Sequence, residues 1–497
     1  MRRLLILLAW LLALAPAARA QTPDAVIAGQ ITRADHQTYR ELAFDVPRGV
    51  RRLTVEFDYS GREAKTVIDL GLRDPNGVRG WSGGTRKGFT VSAEEATPGY
   101  LPGPVIPGRW AVLIGVPNIR AGQSAHYEVR VFFDRAETGQ GFADAPLKAE
   151  AGWYRGDLHM HTAHSDGSCA GQSGARVPCP LYRTVEAAAA RGLDFIAVTD
   201  HNTTSQFDAE RELQPAFDRL LLIPGREITT FEGHANVFGP TGFIDFRLTD
   251  AAVPKARDLE AAVAKAGGLF SINHPGLPSG ELCMGCGWSA ADVDYAGVQA
   301  IEVVNGGTLA STGSAEGALQ GIAFWEARLN AGDRITAIGG SDNHDALIPI
   351  DKPGAIGRPT TVVYAQGLWT PDILAGVRAG RVFVDVQGPG RRGLDLAAEA
   401  DGARAQMGGT LAAPAGSRVA ASVHVAEVRA GRVELIVDGR RSDELTRPLA
   451  DEADQTLAFD VPSDGARHWI RADVRGADGK LILVGNPIYL NWPLTPR

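Results

Sequence analysis

Apolar and polar residues alternate over Arg52-Leu-Thr-Val-Glu-Phe-Asp-Tyr59 and again over His126-Tyr-Glu-Val-Arg-Val-Phe-Phe133. A period of two places successive side chains on opposite faces of a strand, so one face can be buried and the other wet. Gly and Pro punctuate the segments between, and no helical period of useful length appears. Residues 22–148 are therefore expected to form an N-terminal β-sandwich. From 149 to 392 the pattern changes. Short apolar runs at 195–199, 220–224, 268–273, 300–304 and 335–339 read as strands. Ala-rich stretches at 184–191, 256–266, 315–330 and 370–379 read as helices. Repeated strand–helix units define an α/β domain with a parallel sheet, open or closed as a barrel. Residues 393–497 return to alternation, as in Arg432-Val-Glu-Leu-Ile-Val-Asp438 and His468-Trp-Ile-Arg-Ala-Asp-Val474. Asp478-Gly479 reads as a hairpin turn there, and the stretch as a C-terminal β-sandwich.

The ends and the totals narrow the setting. Arg2 and Arg3, an apolar run from Leu4 to Leu14, and Ala18-Arg-Ala20 before Gln21 have the form of a secretory signal peptide over residues 1–20. The mature chain is then expected in the periplasm or outside the cell. No later run is long and apolar enough to span a bilayer, so no membrane span is expected in the mature chain. The formal net charge is −8, which gives no electrostatic reason to hold a nucleic-acid backbone. The four cysteines are Cys169, Cys179, Cys283 and Cys286. An even count in an exported chain points to disulfides, while the Cys-x-x-Cys spacing also suits a thiolate zinc site. The pairings Cys169–Cys179 with Cys283–Cys286, or a cross-link between the two loops, are both open.

The chemistry concentrates in the middle third. Of 11 histidines, seven lie between residues 157 and 345. Six of these fall in five clusters with acidic residues: Asp157-Leu-His-Met-His161 with Asp166, Thr199-Asp-His201, Gly225-Arg-Glu227 with His234, Asn273-His-Pro275, and Ser341-Asp-Asn-His344. The clusters follow the ends of expected strands, and in barrels of parallel strands those ends share one face. Nine side chains are candidate ligands: His159, His161, Asp166, His201, Glu227, His234, His274, Asp342 and His344. Nitrogen and oxygen donors of this kind suit Zn, Mn or Fe, and nine exceed the needs of one ion, so two or three divalent metals are expected. Asp200 would point to the other side of its strand from His201 and reads as a supporting residue, as does Asp157. His164 reads as a loop residue or a supporting donor. Arg226 is a candidate contact for an anionic substrate, with pairing to a barrel carboxylate as the alternative.

Taken together, these motifs resemble the polymerase and histidinol phosphatase (PHP) domain over roughly residues 150–390. The resemblance implies a distorted (β/α)7 TIM-like barrel between the two sandwiches. It implies one metal on His159, His161, Glu227 and Asp342. A second would use Glu227 as a bridge with His234 and His274, and a third Asp166, His201 and His344. Glu302 or Asn305 is the alternative to His234. Glu227, Asp342 and Arg226 become the expected catalytic residues. The expected activity is hydrolysis of a small phosphoester by a metal-bridging hydroxide. The signal peptide and flanking sandwiches are similar to the exported branch of the family, which includes carbamate-insecticide hydrolases, so a carbamate or carboxylic ester is the alternative substrate. A surface protein that binds without catalysis is the remaining reading.

Overall fold

The computed structural model describes residues 22–493 apart from 85, 136–140, 282 and 284. The signal peptide read at residues 1–20 lies outside them. The chain divides into two units, one holding the described residues up to Ser92 with Gly99–Arg135, the other Ala93–Pro98 and those from Ala136 onward.

The first unit consists of two four-stranded antiparallel sheets. One orders Ala25–Thr32, Ser124–Asp134, Arg52–Tyr59 and Gly88–Ser92. The other orders Tyr39–Val46, Gly108–Asn118, Val67–Asp74 and Gly77–Gly83. The period-two pattern does what it must. Leu53, Val55 and Phe57 are buried while Glu56 between them is exposed, and Leu70, Leu72, Val112 and Ile114 fill the interior from the other sheet.

The second unit is built on a mixed 15-stranded sheet. Its barrel part runs Thr336–Gly340, Ala300–Asn305, Leu269–Ile272, His234–Phe238, Leu221–Thr229, Phe195–Val198, Gly152–Asp157, Thr360–Ala365 and Val382–Asp385. Phe195–Val198 is parallel to both of its neighbours, and Ala300–Asn305 likewise. The distortion comes from His234–Phe238, which runs antiparallel to both Leu221–Thr229 and Leu269–Ile272, and from Thr360–Ala365, antiparallel to both Gly152–Asp157 and Val382–Asp385. Closure uses a side chain. Gly339 donates its N–H to Thr361 Oγ1 at 2.8 Å, and that hydroxyl donates to Gly339 O at 2.6 Å. The strands carry almost continuous apolar residues because both faces are buried. Helix Ala256–Lys265 covers the outside with Ala256, Leu259 and Val263.

One helical expectation changes, and one helix was not expected. The stretch 315–330 is helical only over Ile322–Ala331, preceded by a separate helix Gly306–Thr312. Gly313 ends the first helix in the left-handed conformation. Gly321 caps the start of the second, and a Cβ there would strike the Glu302 carbonyl. The short helix Phe207–Leu213 follows the His201 cluster and left no periodic signal.

The sheet does not stop at the barrel. Val382–Asp385 pairs with Leu481–Gly485, which pairs with His468–Arg475 and through it with Arg432–Val437. A four-stranded antiparallel sheet including Gly393–Ala400, Arg418–Ala426 and Asp454–Pro462 completes the C-terminal sandwich. Asn486, fully buried, accepts from Ala337 N–H at 2.7 Å and donates to Ala337 O and Val382 O at 2.9 and 2.8 Å. Trp469, Tyr489 and Trp492 pack into one core with Trp325 and Leu329 of the barrel's outer helix. Cys169 pairs with Cys179, and Cys283 lies beside Cys286, so no cross-link joins the two loops. Among the described residues no helix is long and apolar enough to cross a membrane.

Candidate metal centre

Glu227 lies near the end of Leu221–Thr229 and is 1% exposed. Five imidazoles surround its carboxylate. His201 Nδ1 is 2.9 Å away, His234 Nδ1 and His274 Nε2 are each 3.3 Å, His159 Nε2 is 3.4 Å and His161 Nε2 is 3.6 Å. Asp342 faces His161 Nε2 at 3.1 Å and His159 Nε2 at 3.3 Å. Asp166, on the open side, faces His344 Nε2 at 3.4 Å and His201 Nε2 at 3.7 Å. All nine candidate ligands thus converge. Their donor atoms form groups His159–His161–Glu227, Glu227–His234–His274 and His161–Asp166–His201–His344, each compact enough for one ion. This fits a di- or trinuclear site. His234 is placed within it, beside Glu227 and His274.

The local fold explains the convergence. Strand Gly152–Asp157 ends before His159, and an isolated bridge from Met160 to Asn343 keeps the segment extended. His159 and His161 therefore still face one way. Asp157 ties this segment to its neighbours, accepting the N–H groups of His159, Ser341 and Gly357 at 3.2, 3.0 and 2.6 Å. Its burial pushes its pKa up to about 6. Asp200, fully buried, accepts from Thr162 N–H, Thr162 Oγ1 and Ser165 Oγ at 2.7, 2.7 and 2.6 Å. It pins the turn that carries Asp166. Asn202, His274 and Asp342 adopt positive φ of 52°, 27° and 51°. Non-glycine residues held in this region store strain that clusters at functional sites.

The donors fit metal ions. His159 Nε2 and His161 Nδ1 are buried without a hydrogen bond. Such atoms cost roughly 1–3 kcal/mol each unless something binds them. The rings of His344 and His274 are fixed from behind. His344 Nδ1 donates to Asp342 O at 2.9 Å and His274 Nδ1 to Cys286 O at 3.1 Å, which turns Nε2 of each toward the carboxylates, the arrangement that orients metal-binding histidines.

Two residues sit elsewhere. Arg226, expected beside the substrate, follows the alternation of its strand and points away from Glu227. Its guanidinium is buried and donates to Pro240 O at 3.1 Å and to Gly242 O. The structure places it away from the cluster, not beside it. His164 is turned outward to Ser205 Oγ at 2.8 Å. Glu302, only weighed as a rival to His234, is 2% exposed and bonded directly behind His159.

Protonation opposes metal loading at the open side. Burial would lower the His344 pKa, but the bond to Asp166 and the charge of Asp342 push it up to about 9 from 6.5. A raised value stabilises the metal-free fold fully below pH 6.5 and loses that contribution as pH rises through about 9. A ligating imidazole must be neutral, so loading this side near neutral pH should release protons, with His344 and His201 as their sources. Calorimetry in two buffers of different ionisation heat measures it, and zero release would refute the assignment.

No family model matches the chain, and no curated protein does. Among solved structures it is similar to a two-domain protein from Bacteroides vulgatus ATCC 8482 described as containing a predicted PHP-like metal-dependent phosphoesterase. The identity is 19% over 68% of this chain and 96% of that one, with a TM-score of 0.39. It is also similar to a protein from Bifidobacterium adolescentis ATCC 15703 described as a metal-dependent phosphoesterase. There the identity is 17% over 38% of this chain and 87% of that one, with a TM-score of 0.27. Likenesses this distant leave the chemistry to the side chains.

Proposed function

We propose that the protein is a PHP-type metal-dependent hydrolase of small phosphoesters, exported from the cell. The observation that carries this reading is Glu227, a fully buried carboxylate ringed by five imidazoles. A structural carboxylate needs one or two partners; one serving five histidines has the valence of a bridging ligand. Divalent ions held there (Zn, Mn or Fe) supply Lewis acidity and a water that ionises at neutral pH. The protein's own part is to hold those ions. Glu227 would serve two positions, Asp342 with His159 and His161 would complete the inner one, and Asp166 with His201 and His344 would hold the side open to solvent. Asp166 is 56% exposed and His344 40%, so a substrate's anionic group enters over them.

One observation favours the carbamate or carboxylic-ester alternative. Asn202 and Thr229, next to His201, line a cavity of about 520 Å³ with Phe231, Phe246 and Leu248. The Phe231 ring is 87% exposed, which suits an apolar leaving group. A panel of p-nitrophenyl phosphate, bis-p-nitrophenyl phosphate and 1-naphthyl methylcarbamate, assayed with Mn²⁺ or Zn²⁺, decides the bond. We expect turnover of a phosphoester; activity on the carbamate alone overturns the first reading. Export predicts a mature chain beginning at Gln21, read by N-terminal sequencing of the protein recovered outside the cytoplasm.

A further inference from the structure

Strand Ala300–Asn305 delivers none of the nine ligands, yet its end lies within the centre. A β-bulge between Glu302 and Val304 interrupts its pairing with Thr336–Gly340, and bulges re-aim side chains. Glu302 Oε1 accepts from His159 Nδ1 at 3.0 Å. Its Oε2 accepts the backbone N–H of His274 at 2.9 Å and Asn305 Nδ2 at 3.0 Å. The same Asn305 amide group reaches Asp342 Oδ2 at 3.2 Å. Asn305 is itself fixed, accepting from Thr308 N–H at 2.8 Å and donating its own N–H to Gln320 Oε1 at 3.0 Å. The close approach of Glu302 to His159 depends on Gly340, where a Cβ would meet both side chains.

Glu302, His159 and His274 are near enough to be mistaken for a fourth metal position. The nitrogens decide otherwise. His159 turns Nδ1 to Glu302 and Nε2 to Glu227 and Asp342; opposite ring nitrogens do not serve one ion. The His274 ring has Nδ1 at Cys286 O and Nε2 at Glu227, so Glu302 meets only its backbone.

We propose that Glu302, with Asn305, is a positioning brace that couples the two inner metal positions. It holds His159 as the Nδ1–H tautomer for one ion, holds the positive-φ backbone of His274 for the other, and through Asn305 steadies Asp342. This rests on the metal reading above. A carboxylate behind a metal-bound histidine fixes its ring and raises its basicity, and losing it costs roughly 10–100-fold in affinity. Here one carboxylate acts on two positions, so both weaken together.

The test is titration of metal-free wild-type and Glu302→Gln protein with Co²⁺, followed by visible absorption and by metal analysis at defined free Co²⁺. We expect the variant to lose roughly 10–100-fold at the two inner steps and to keep the step fed by Asp166, His201 and His344. An equal loss at all three steps would mean general loosening and overturn the brace. Loss of one ion, with the others unchanged, would make Glu302 a ligand and also overturn it. Unchanged affinities overturn it alone, whereas wild-type protein that takes up no ion overturns the metal reading as well. Nitrogen-15 histidine spectra of Zn²⁺-loaded wild-type protein give a check free of any variant. His159 should carry its proton on Nδ1, and a proton on Nε2 refutes the proposal.

Discussion

Glu227→Gln should leave a folded protein that binds two fewer ions and turns substrate over roughly 10³-fold more slowly, the several kcal/mol that metal Lewis acidity contributes. The amide keeps the size of the carboxylate, so packing in the strand survives. Asn273 Nδ2 donates to Glu227 Oε1 at 2.8 Å, and the amide oxygen can still accept that bond. What disappears is the charge and the second anionic oxygen. Burial alone would raise the Glu227 pKa, but His159 and His201 hold it well below the usual carboxylate range. Its stabilisation of the metal-free fold is therefore present above its unfolded value and lost as pH falls through the depressed one. At neutral pH the variant forfeits it, so the imidazoles should titrate at lower pH. Metal analysis together with kcat measured on the substrate panel checks this. Full stoichiometry with wild-type kcat would remove Glu227 from the centre.

Asn486→Ala should destabilise the second unit by about 3 kcal/mol or more, although Asn486 touches none of the ligands. Its side chain satisfies one N–H and one carbonyl of Ala337 and the carbonyl of Val382. Each buried backbone group left unpaired costs roughly 1–3 kcal/mol. Ala337 lies on the strand that leads to Asp342, so metal affinity should fall as well. Asn486→Asp sharpens the test. One oxygen still accepts from Ala337, but the other meets two carbonyl oxygens, so the loss should match or exceed that of Ala at neutral pH and shrink on acidification. Urea unfolding followed by Trp fluorescence reads both variants. A midpoint unchanged in Asn486→Ala would show that the C-terminal strands are not part of the barrel's stability.

The local pattern carried much of this. Arg52–Tyr59 was legible as a strand because its period is strict and one face is wet. The ligands were legible because histidine and acid recur after short apolar runs, and strand ends of a barrel meet. What stayed hidden depends on long-range pairing. His234–Phe238 is apolar and buried but runs antiparallel, and direction is not written in composition. Arg226 follows Glu227's neighbour rule yet looked like a substrate contact, since a sequence does not show that Pro240 and Gly242 wait for it. Glu302 was visible as an acid at a strand end, but its partner is the outward nitrogen of His159, a matter of ring orientation. The segment Ala93–Pro98 belongs with the second unit, where Glu95 is buried against Arg211; nothing local marks it.

The seam between Val382–Asp385 and Leu481–Gly485 also sets an order of events. A growing chain emerges with its ligands complete at His344 while the strands that brace Ala337, Val382 and Phe383 are still unmade. Long-range pairing of this kind closes late. The strand Leu481–Gly485, not the ligands themselves, is then expected to set when the centre becomes rigid. A nascent chain stalled before residue 481 should carry every donor atom and still hold its ions loosely.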